Sequence, residues 1–156
     1  MKKYKLSVLI ASFLVVFLAA FIGNLFTSQN VTSAWYESIK PGITPPNYIF
    51  PVAWTALFFL IALSLFFSWS NSKAGDKEKV TKVFGINLAL NALWSFFYFG
   101  LKNPLLGLIN IILILISIIS MIIVLWKIDR KASYLLIPYL LWVGFASVLN
   151  LLSVLR

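Results

Sequence analysis

The chain has 156 residues, of which 62% are hydrophobic and 11% are charged, and its formal net charge is +9. Because a soluble domain carries about 25% charged residues, this composition excludes an ordinary soluble protein and predicts a membrane protein. Cysteine and histidine are absent, which excludes disulfides, zinc sites, thiol nucleophiles, histidine acid–base chemistry and the usual ligation of haem iron. We expect no metal site and no required cofactor.

Five apolar runs are long enough, at about 20 residues each, to cross a bilayer as helices. They cover residues 5–26, 47–70, 80–101, 104–127 and 132–155. The connections between them are too short to hold a soluble domain. The predicted fold is therefore all-α: one integral membrane domain over residues 1–156, built as a bundle of five transmembrane helices.

The first run follows Lys2, Lys3 and Lys5, a basic start that is also typical of a secretory signal peptide. Its apolar part is longer than the usual core of such a peptide, about 7–15 residues, and no clean cleavage site of small residues precedes Asn24. We expect it to be retained as the first spanning helix.

The positive charges predict the orientation of the bundle. Of the 13 basic residues, ten lie on one side of the predicted spans and three on the other. The larger group comprises Lys2, Lys3, Lys5, Lys73, Lys77, Lys79, Lys82, Lys127, Arg130 and Lys131. By the positive-inside rule, the N-terminus is predicted to lie in the cytoplasm and the C-terminus outside. As a separate expectation, the membrane is the plasma membrane of a prokaryote. The charge is thus an orientation signal and predicts no nucleic-acid partner.

The connection between the first two spans is unusually long and stiff. Residues 35–46 read "WYESIKPGITPP", and with the lead-in from Thr27 the segment reaches about 20 residues, a length typical of lids and binding loops. Pro45, Pro46 and Pro51 bracket the start of the second span, where a missing N–H costs little. Lys40 is either a surface charge or a partner for a ligand carboxylate.

The remaining connections indicate how neighbouring spans are joined. The segment "NSKAGDKEK" is predicted to be a solvated turn between the second and third spans. In "LKNPLL", Asn103 is a candidate helix N-cap and Pro104 a first-turn proline. The third and fourth spans are therefore predicted to form a tight antiparallel hairpin.

Polar and aromatic residues share one face of the third span and one face of the fifth. The two sets are Asn87, Asn91, Trp94, Ser95 and Tyr98, and Tyr139, Trp142, Ala146, Leu149 and Asn150. Amides facing lipid would lack partners, so both faces are predicted to point into the bundle. Asn87, Asn110 and Asn150 suit either contacts between helices or ligand binding, and Gly23, Gly107 and Gly144 suit close helix packing.

Three tryptophans lie deep in the spans, at positions that the interfacial aromatic belt does not explain. Trp54, Trp94 and Trp142 are accompanied at compatible depths by Tyr36, Tyr139 and Asn91. An aromatic pocket with a few placed polar groups is the expected site for a flat hydrophobic ligand. The sequence therefore predicts such a pocket beneath the first connection.

The chain resembles the TspO family, the tryptophan-rich sensory proteins and translocator proteins that include the peripheral-type benzodiazepine receptor. The resemblance rests on "WYESIKPGITPPNYIFPVAW", on "NxxxNxxWS" at 87–95 and on "PYLLWVGFASVLN", and it covers all five spans in order. It implies a five-helix membrane protein, usually a homodimer, whose pocket binds porphyrins and synthetic benzodiazepine-type ligands.

The resemblance also implies which residues form the site. The matching ligand-binding positions are Trp35, Tyr36, Pro45, Trp54, Phe58, Asn91, Trp94, Trp142 and Ala146. Trp54 and Trp142 match tryptophans associated with light-dependent porphyrin breakdown, and would be catalytic if this chain has that activity. Two departures are Ile43, where many members carry tryptophan, and the lack of a tyrosine in the C-terminal "LNLLSVLR", which leaves the weak sterol motif incomplete.

Three functions are compatible with these residues. The first is a sensor or regulator that binds a tetrapyrrole such as a porphyrin or haem, or a similar flat hydrophobic molecule. The second is light-dependent porphyrin degradation, for which the sequence offers no conventional acid–base pair. The third is transport of a small hydrophobic molecule, which neither an inverted repeat nor an ionisable residue within a span supports.

Overall fold

The computed structural model describes residues 5–156, and Lys2 and Lys3 lie outside that range. The described part of the chain forms seven α-helices and one π-helical segment. These are α1 (Leu6–Asn30), α2 (Ala34–Ile39), α3 (Ile49–Asn71), α4 (Ala74–Ser95), the π segment (Phe96–Gly100), α5 (Pro104–Trp126), α6 (Arg130–Tyr134) and α7 (Ile137–Val154).

Five helical stretches are long and apolar enough to cross a membrane, which confirms the predicted all-α membrane fold. They are α1, α3, α4 with the π segment, α5, and α6 with α7. The hairpin partners α4 and α5 pack together, α5 packs on α7, and α1 packs on both α3 and α4. Which end of this bundle faces the cytoplasm stays a prediction from the charge distribution.

The first connection is more helical than predicted. Helix α1 continues past residue 26 to Asn30, whose side-chain amide donates to the Phe26 carbonyl at 3.0 Å. The connection then forms α2, which is capped by Ser33, because the Ser33 hydroxyl accepts from the Tyr36 amide at 3.2 Å. The segment is therefore stiffened by a short helix as well as by its prolines.

The predicted turn between the second and third spans is mostly helix. Helix α4 begins at Ala74 rather than at residue 80, so Ser72 and Lys73 alone separate it from α3. Asp76 pairs with Lys79 at 3.0 Å, and an overlapping exposed pair joins Glu78 to Lys82 at 2.6 Å. Pairs at this spacing support a helix weakly, and they let the charged sequence continue the apolar span into water.

The other connections follow the predicted chemistry. The Asn103 side chain accepts from the Leu106 amide at 3.0 Å, and Pro104 is the first residue of α5. Lys102 adopts a left-handed backbone, with φ 51°, where the chain reverses. The fifth span breaks between α6 and α7, just ahead of Pro138, which cannot donate to the carbonyl one turn earlier.

The buried asparagines form hydrogen bonds between helices, which is one of the two roles that the sequence allowed for them. Asn87 donates to the Ser117 hydroxyl, Asn110 to the Leu90 carbonyl and Asn150 to the Pro104 carbonyl, each at 2.8 Å. These bonds tie α4 to α5 and α5 to α7. Inside a bilayer they satisfy amides that would otherwise have no partner.

Glycines allow close approach at two of the three predicted positions. A methyl group on Gly23 would touch Ser95 Oγ at 3.4 Å, and one on Gly107 would lie 3.0 Å from a Tyr98 ring carbon. At Gly144 an added methyl would meet nothing within 4 Å, so the packing role predicted for that glycine is wrong. Its helix face is open at that point.

We expect Gly107→Ala to lower the free energy of unfolding by about 1–3 kcal/mol, since the methyl would overpack a junction of three helices. It would press on Asn150 Oδ1 at 3.1 Å as well as on Tyr98. Gly85→Ala is the matched control, because a methyl there meets nothing within 4 Å. Unfolding in detergent by increasing SDS measures both; equal stability of the two variants would contradict this packing.

Candidate ligand-binding site

A cavity of about 380 Å³ lies inside the bundle, and helices α1, α3, α4, α5 and α7 all contribute to its wall. Small-molecule sites commonly measure about 300–1,000 Å³. Its aromatic lining consists of Tyr36, Phe50, Trp54, Phe58, Trp94, Tyr98 and Phe99. The bundle therefore contains a partly open space that is flanked by flat, apolar surfaces.

The structure brings most of the predicted site residues to this cavity. Six of the nine line it: Tyr36, Trp54, Phe58, Asn91, Trp94 and Ala146. The other three, Trp35, Pro45 and Trp142, lie outside the lining. Ligand binding by any of the nine stays a prediction, since the geometry gives their positions and not their role.

One wall of the cavity is a stacked pair on α3. The Trp54 and Phe58 rings are one helical turn apart, with centroids 5.5 Å apart and planes inclined by 30°. Tyr139 of α7 packs edge-on against Trp54 at 6.3 Å and is fully buried. The ring of Trp54 is thus fixed in orientation by contacts on two sides.

A second stacked pair on α4 and the π segment forms another wall. The Trp94 and Tyr98 centroids are 4.9 Å apart, and their planes differ by 20°. Trp94 Nε1 donates to Asn150 Oδ1 at 3.0 Å, and the Tyr98 hydroxyl donates to Ser153 at 2.9 Å. The polar ends of both rings are therefore satisfied by α7, which leaves their apolar surfaces for packing.

The π segment explains how two adjacent aromatic residues both reach the lining. Tyr98 and Phe99 are each 4% exposed and both border the cavity. The Leu101 amide donates to the Phe96 carbonyl at 2.8 Å, five residues back, so this turn is wider than an α-helical one. Such π bulges occur mostly as single turns and frequently at functional sites.

Helix α2 covers the end of the cavity with aromatic contacts. Tyr36 packs on Phe99 at 5.3 Å between centroids, and Trp35 packs edge-on against Tyr98 at 5.9 Å. Trp35 therefore supports the cover from behind instead of facing the cavity. Burial, with smaller effects of the Tyr98 phenol and the Glu37 carboxylate, raises the pKa of Tyr36, so its phenol stays neutral.

Lys40 is engaged on the outer side of this cover. Its Nζ lies 3.0 Å from Glu37 Oε1 and 5.7 Å from the centre of the Tyr36 ring. Its side chain keeps a quarter of its surface exposed. Lys40 thus acts as a surface cation that is held over an aromatic residue of the cover.

The side chain of Trp142 is separated from the cavity by that of Phe50. Its ring packs edge-on against Phe50, which lines the cavity, with centroids 5.9 Å apart. A second aromatic contact joins it to Phe145 at 5.7 Å. Its indole nitrogen is buried without a hydrogen-bond partner in the described part of the chain.

Sequence reasoning missed the contribution of α1 and of the end of the first connection. Asn24, Thr27 and Ser28 line the cavity, as do Asn47 and Phe50. The spacing of the three polar residues on α1, at i, i+3 and i+4, places them on one helix face and was the available signal. For Asn47 no pattern distinguished a wall residue from an ordinary loop amide.

The lining is polar in places but carries no formal charge. Among the described residues that form it there are amides, hydroxyls and aromatic rings but no carboxylate, ammonium or guanidinium group. In residues 5–156 no cluster of three potential metal-ligating side chains occurs. The arrangement can stack on a flat molecule and exchange hydrogen bonds with its edge.

Five spanning helices around an aromatic cavity, roofed by a short helix, define a polytopic membrane protein with a candidate site for a hydrophobic ligand. The TspO/MBR family model matches residues 11–155, so the chain belongs to the TspO/MBR family. It is 46% identical over 143 residues to the tryptophan-rich protein TspO of Archaeoglobus fulgidus, covering 91% of this chain and 92% of that one.

More distant relatives show the same agreement along the chain. The tryptophan-rich protein TspO of Chlorobaculum tepidum is 38% identical over 133 residues, which are 83% of each chain. The human translocator protein is 26% identical over 137 residues, covering 85% of this chain and 80% of the human protein. The family resemblance found in the sequence is thereby confirmed.

Proposed function

We propose that this protein binds a tetrapyrrole, such as a porphyrin or haem, or a similar flat hydrophobic molecule in the cavity under α2, and that it acts as a sensor or regulator. The observation that carries the proposal is the pair of stacked aromatic walls, Trp54 with Phe58 and Trp94 with Tyr98, around one uncharged space. Aromatic rings stabilise flat π systems by offset stacking and edge-on contacts.

The regulatory part of the proposal draws support from a named relative. The tryptophan-rich sensory protein of Cereibacter sphaeroides is 30% identical over 117 residues, covering 74% of this chain and 72% of that one. The lining of the cavity has no acid–base pair that would favour conventional catalysis. Location in the plasma membrane of a prokaryote and assembly as a homodimer are further parts of this proposal.

Blocking the cavity tests the proposal. Ala146 lines the cavity from α7, so a phenyl group in Ala146→Phe would occupy space that the ligand needs. We expect protoporphyrin to bind at least about tenfold more weakly, equivalent to about 1.4 kcal/mol. Titration of the detergent-purified protein, followed by the shift of the porphyrin absorbance band, measures the affinity.

Ala56→Phe is the matched control. Ala56 lies on the exposed face of α3, so the same ring there would project into detergent. We expect its affinity to equal that of the unmodified protein. Saturable binding that is unchanged by Ala146→Phe would place the porphyrin outside the cavity. Binding that never saturates in any of the three proteins would mean that the porphyrin only partitions into the micelle.

A further inference from the structure

Three exposed cations at one end of the bundle have no acidic partner among residues 5–156. They are Lys127, Arg130 and Lys131, on the connection from α5 to α6 and in the first turn of α6. The salt bridges of the described chain use Lys40, Lys79 and Lys82 instead. The charge of the α5–α6 connection is therefore not neutralised by a neighbouring carboxylate.

The one carboxylate within this connection is engaged in holding the chain. Asp129 Oδ1 accepts from the Lys131 and Ala132 amides, at 2.8 and 3.1 Å, and so caps α6. Its Oδ2 accepts from the side-chain amide of Asn71 at the end of α3. Asp129 thus fixes the start of α6 in place and leaves the three cations facing outward.

An aromatic pair lies beside these cations. The guanidinium carbon of Arg130 lies 5.2 Å from the centre of the Trp126 ring, and Tyr134 packs edge-on against the same ring with centroids 5.2 Å apart. Trp126 is 42% exposed and Tyr134 is 55% exposed. Because exposed tryptophan and tyrosine favour the headgroup depth of a membrane, the cations are held at the level of the lipid phosphates.

Exposed apolar side chains continue from the aromatic pair along two adjacent spans. They are Ile116, Ile119 and Ile123 on α5, and Ile137 and Leu141 on α7. The spacing of the three isoleucines places them on the face of α5 that carries Trp126. Since Trp126 meets Tyr134, the exposed faces of the two spans adjoin at their charged end.

We propose that this end of the bundle binds one anionic phospholipid, whose phosphate is held by Lys127, Arg130 and Lys131 and whose acyl chains lie along α5 and α7. The occupant follows from charge complementarity together with the apolar faces below the cations. A free phosphate would use the cations alone, and a zwitterionic lipid would leave their charge unbalanced. None of these residues lines the cavity under α2, so the lipid site is independent of the proposed ligand site.

Native mass spectrometry of the detergent-purified protein tests the proposal. Phosphatidylglycerol and phosphatidylcholine with identical dioleoyl chains are added at equal concentration, and the protein carrying one lipid is counted for each. A lysine or arginine near an anionic surface contributes about fivefold in affinity. We therefore expect phosphatidylglycerol to bind at least about tenfold more tightly, with a preference that falls as salt is raised.

Two double variants of equal charge separate this site from the general charge of the bundle end. Arg130→Gln with Lys131→Gln is expected to reduce the preference to within about twofold, because one local cation is left. Lys79→Gln with Lys82→Gln is the matched control on α4, since both lysines are already paired with carboxylates. We expect the control to keep the preference of the unmodified protein.

Three results would overturn the proposal. Equal binding of the two lipids would show that the cations select no headgroup, and equal loss of preference in both double variants would assign selection to overall charge. Displacement of phosphatidylglycerol by an excess of glycerol phosphate would show an anion site to which the apolar faces add nothing. Should the Arg130 and Lys131 variant fail to fold, Lys127→Gln replaces it, with an expected loss of about fivefold against none in Lys79→Gln.

Discussion

Replacing Trp94 by alanine is expected to lower the free energy of unfolding by about 3 kcal/mol, the lower end of the usual cost of truncating a large aromatic side chain in a core, because Trp94 is partly buried beside the cavity. Trp94 stacks on Tyr98 at 4.9 Å and meets Phe99 edge-on at 5.9 Å. Its indole nitrogen also donates to Asn150. The substitution removes these contacts together and takes the only donor from the Asn150 side-chain oxygen among the described residues.

The transition from folded to SDS-unfolded protein, followed by circular dichroism, measures this loss. Trp126→Ala is the control of equal size, since Trp126 is 42% exposed at the end of α5. Its contacts with Arg130 and Tyr134 lie at the surface of the bundle. Equal destabilisation by the two substitutions would show that Trp94 is not part of a packed wall.

The second large effect is expected on ligand affinity. Trp54→Ala should weaken protoporphyrin binding by about 10-fold to 100-fold, because stacking of a flat base on an aromatic side chain contributes about 1–3 kcal/mol. Trp54 borders the cavity and is oriented by Phe58 and Tyr139. Its indole is therefore available to a ligand without rearrangement of the wall.

Trp142→Ala provides the comparison. The sequence predicts both Trp54 and Trp142 as site residues, whereas the structure places only Trp54 of the two at the cavity. Trp142 contacts the lining residue Phe50 but does not border the cavity. We expect its loss to weaken protoporphyrin binding less than the loss of Trp54, by under about fivefold or roughly 1 kcal/mol. Titrations of both variants by absorbance decide the order. A larger effect at Trp142 would place the ligand on the Phe50 side of the present cavity.

Much of the fold is predictable from the sequence, because membrane spans are set by length and hydropathy. The stripe from Asn87 to Tyr98 also predicts the inward face of α4 correctly, since amides cannot face lipid. Boundaries were less predictable. The charged residues after Lys73 continue α4, because exposed ion pairs suit a helix end as well as a loop, and nothing in a local pattern separates the two.

The parts of the site that escaped prediction depend on contacts between distant segments. The π segment and α2 are stabilised by aromatic packing of Tyr36 on Phe99, which joins residues far apart in the chain. Trp142 and Ala146 lie on the same face of α7, yet only Ala146 of the two borders the cavity. Trp142, one turn earlier, contacts Phe50 instead. The sequence pattern gives the shared face but not which part of the neighbouring structure each residue meets. The hydrogen bond that Asn91 Nδ2 donates to the Tyr139 hydroxyl is likewise a tertiary contact.

Porphyrin binding in the cavity is best tested by a crystal structure of the protein soaked with a dibrominated deuteroporphyrin, with the bromines located by their anomalous scattering. We expect bromine peaks inside the cavity, with the macrocycle in contact with the rings of Trp54 and Trp94. Peaks confined to the lipid-facing surface, with the cavity empty at saturating porphyrin, would show that the cavity is not the porphyrin site.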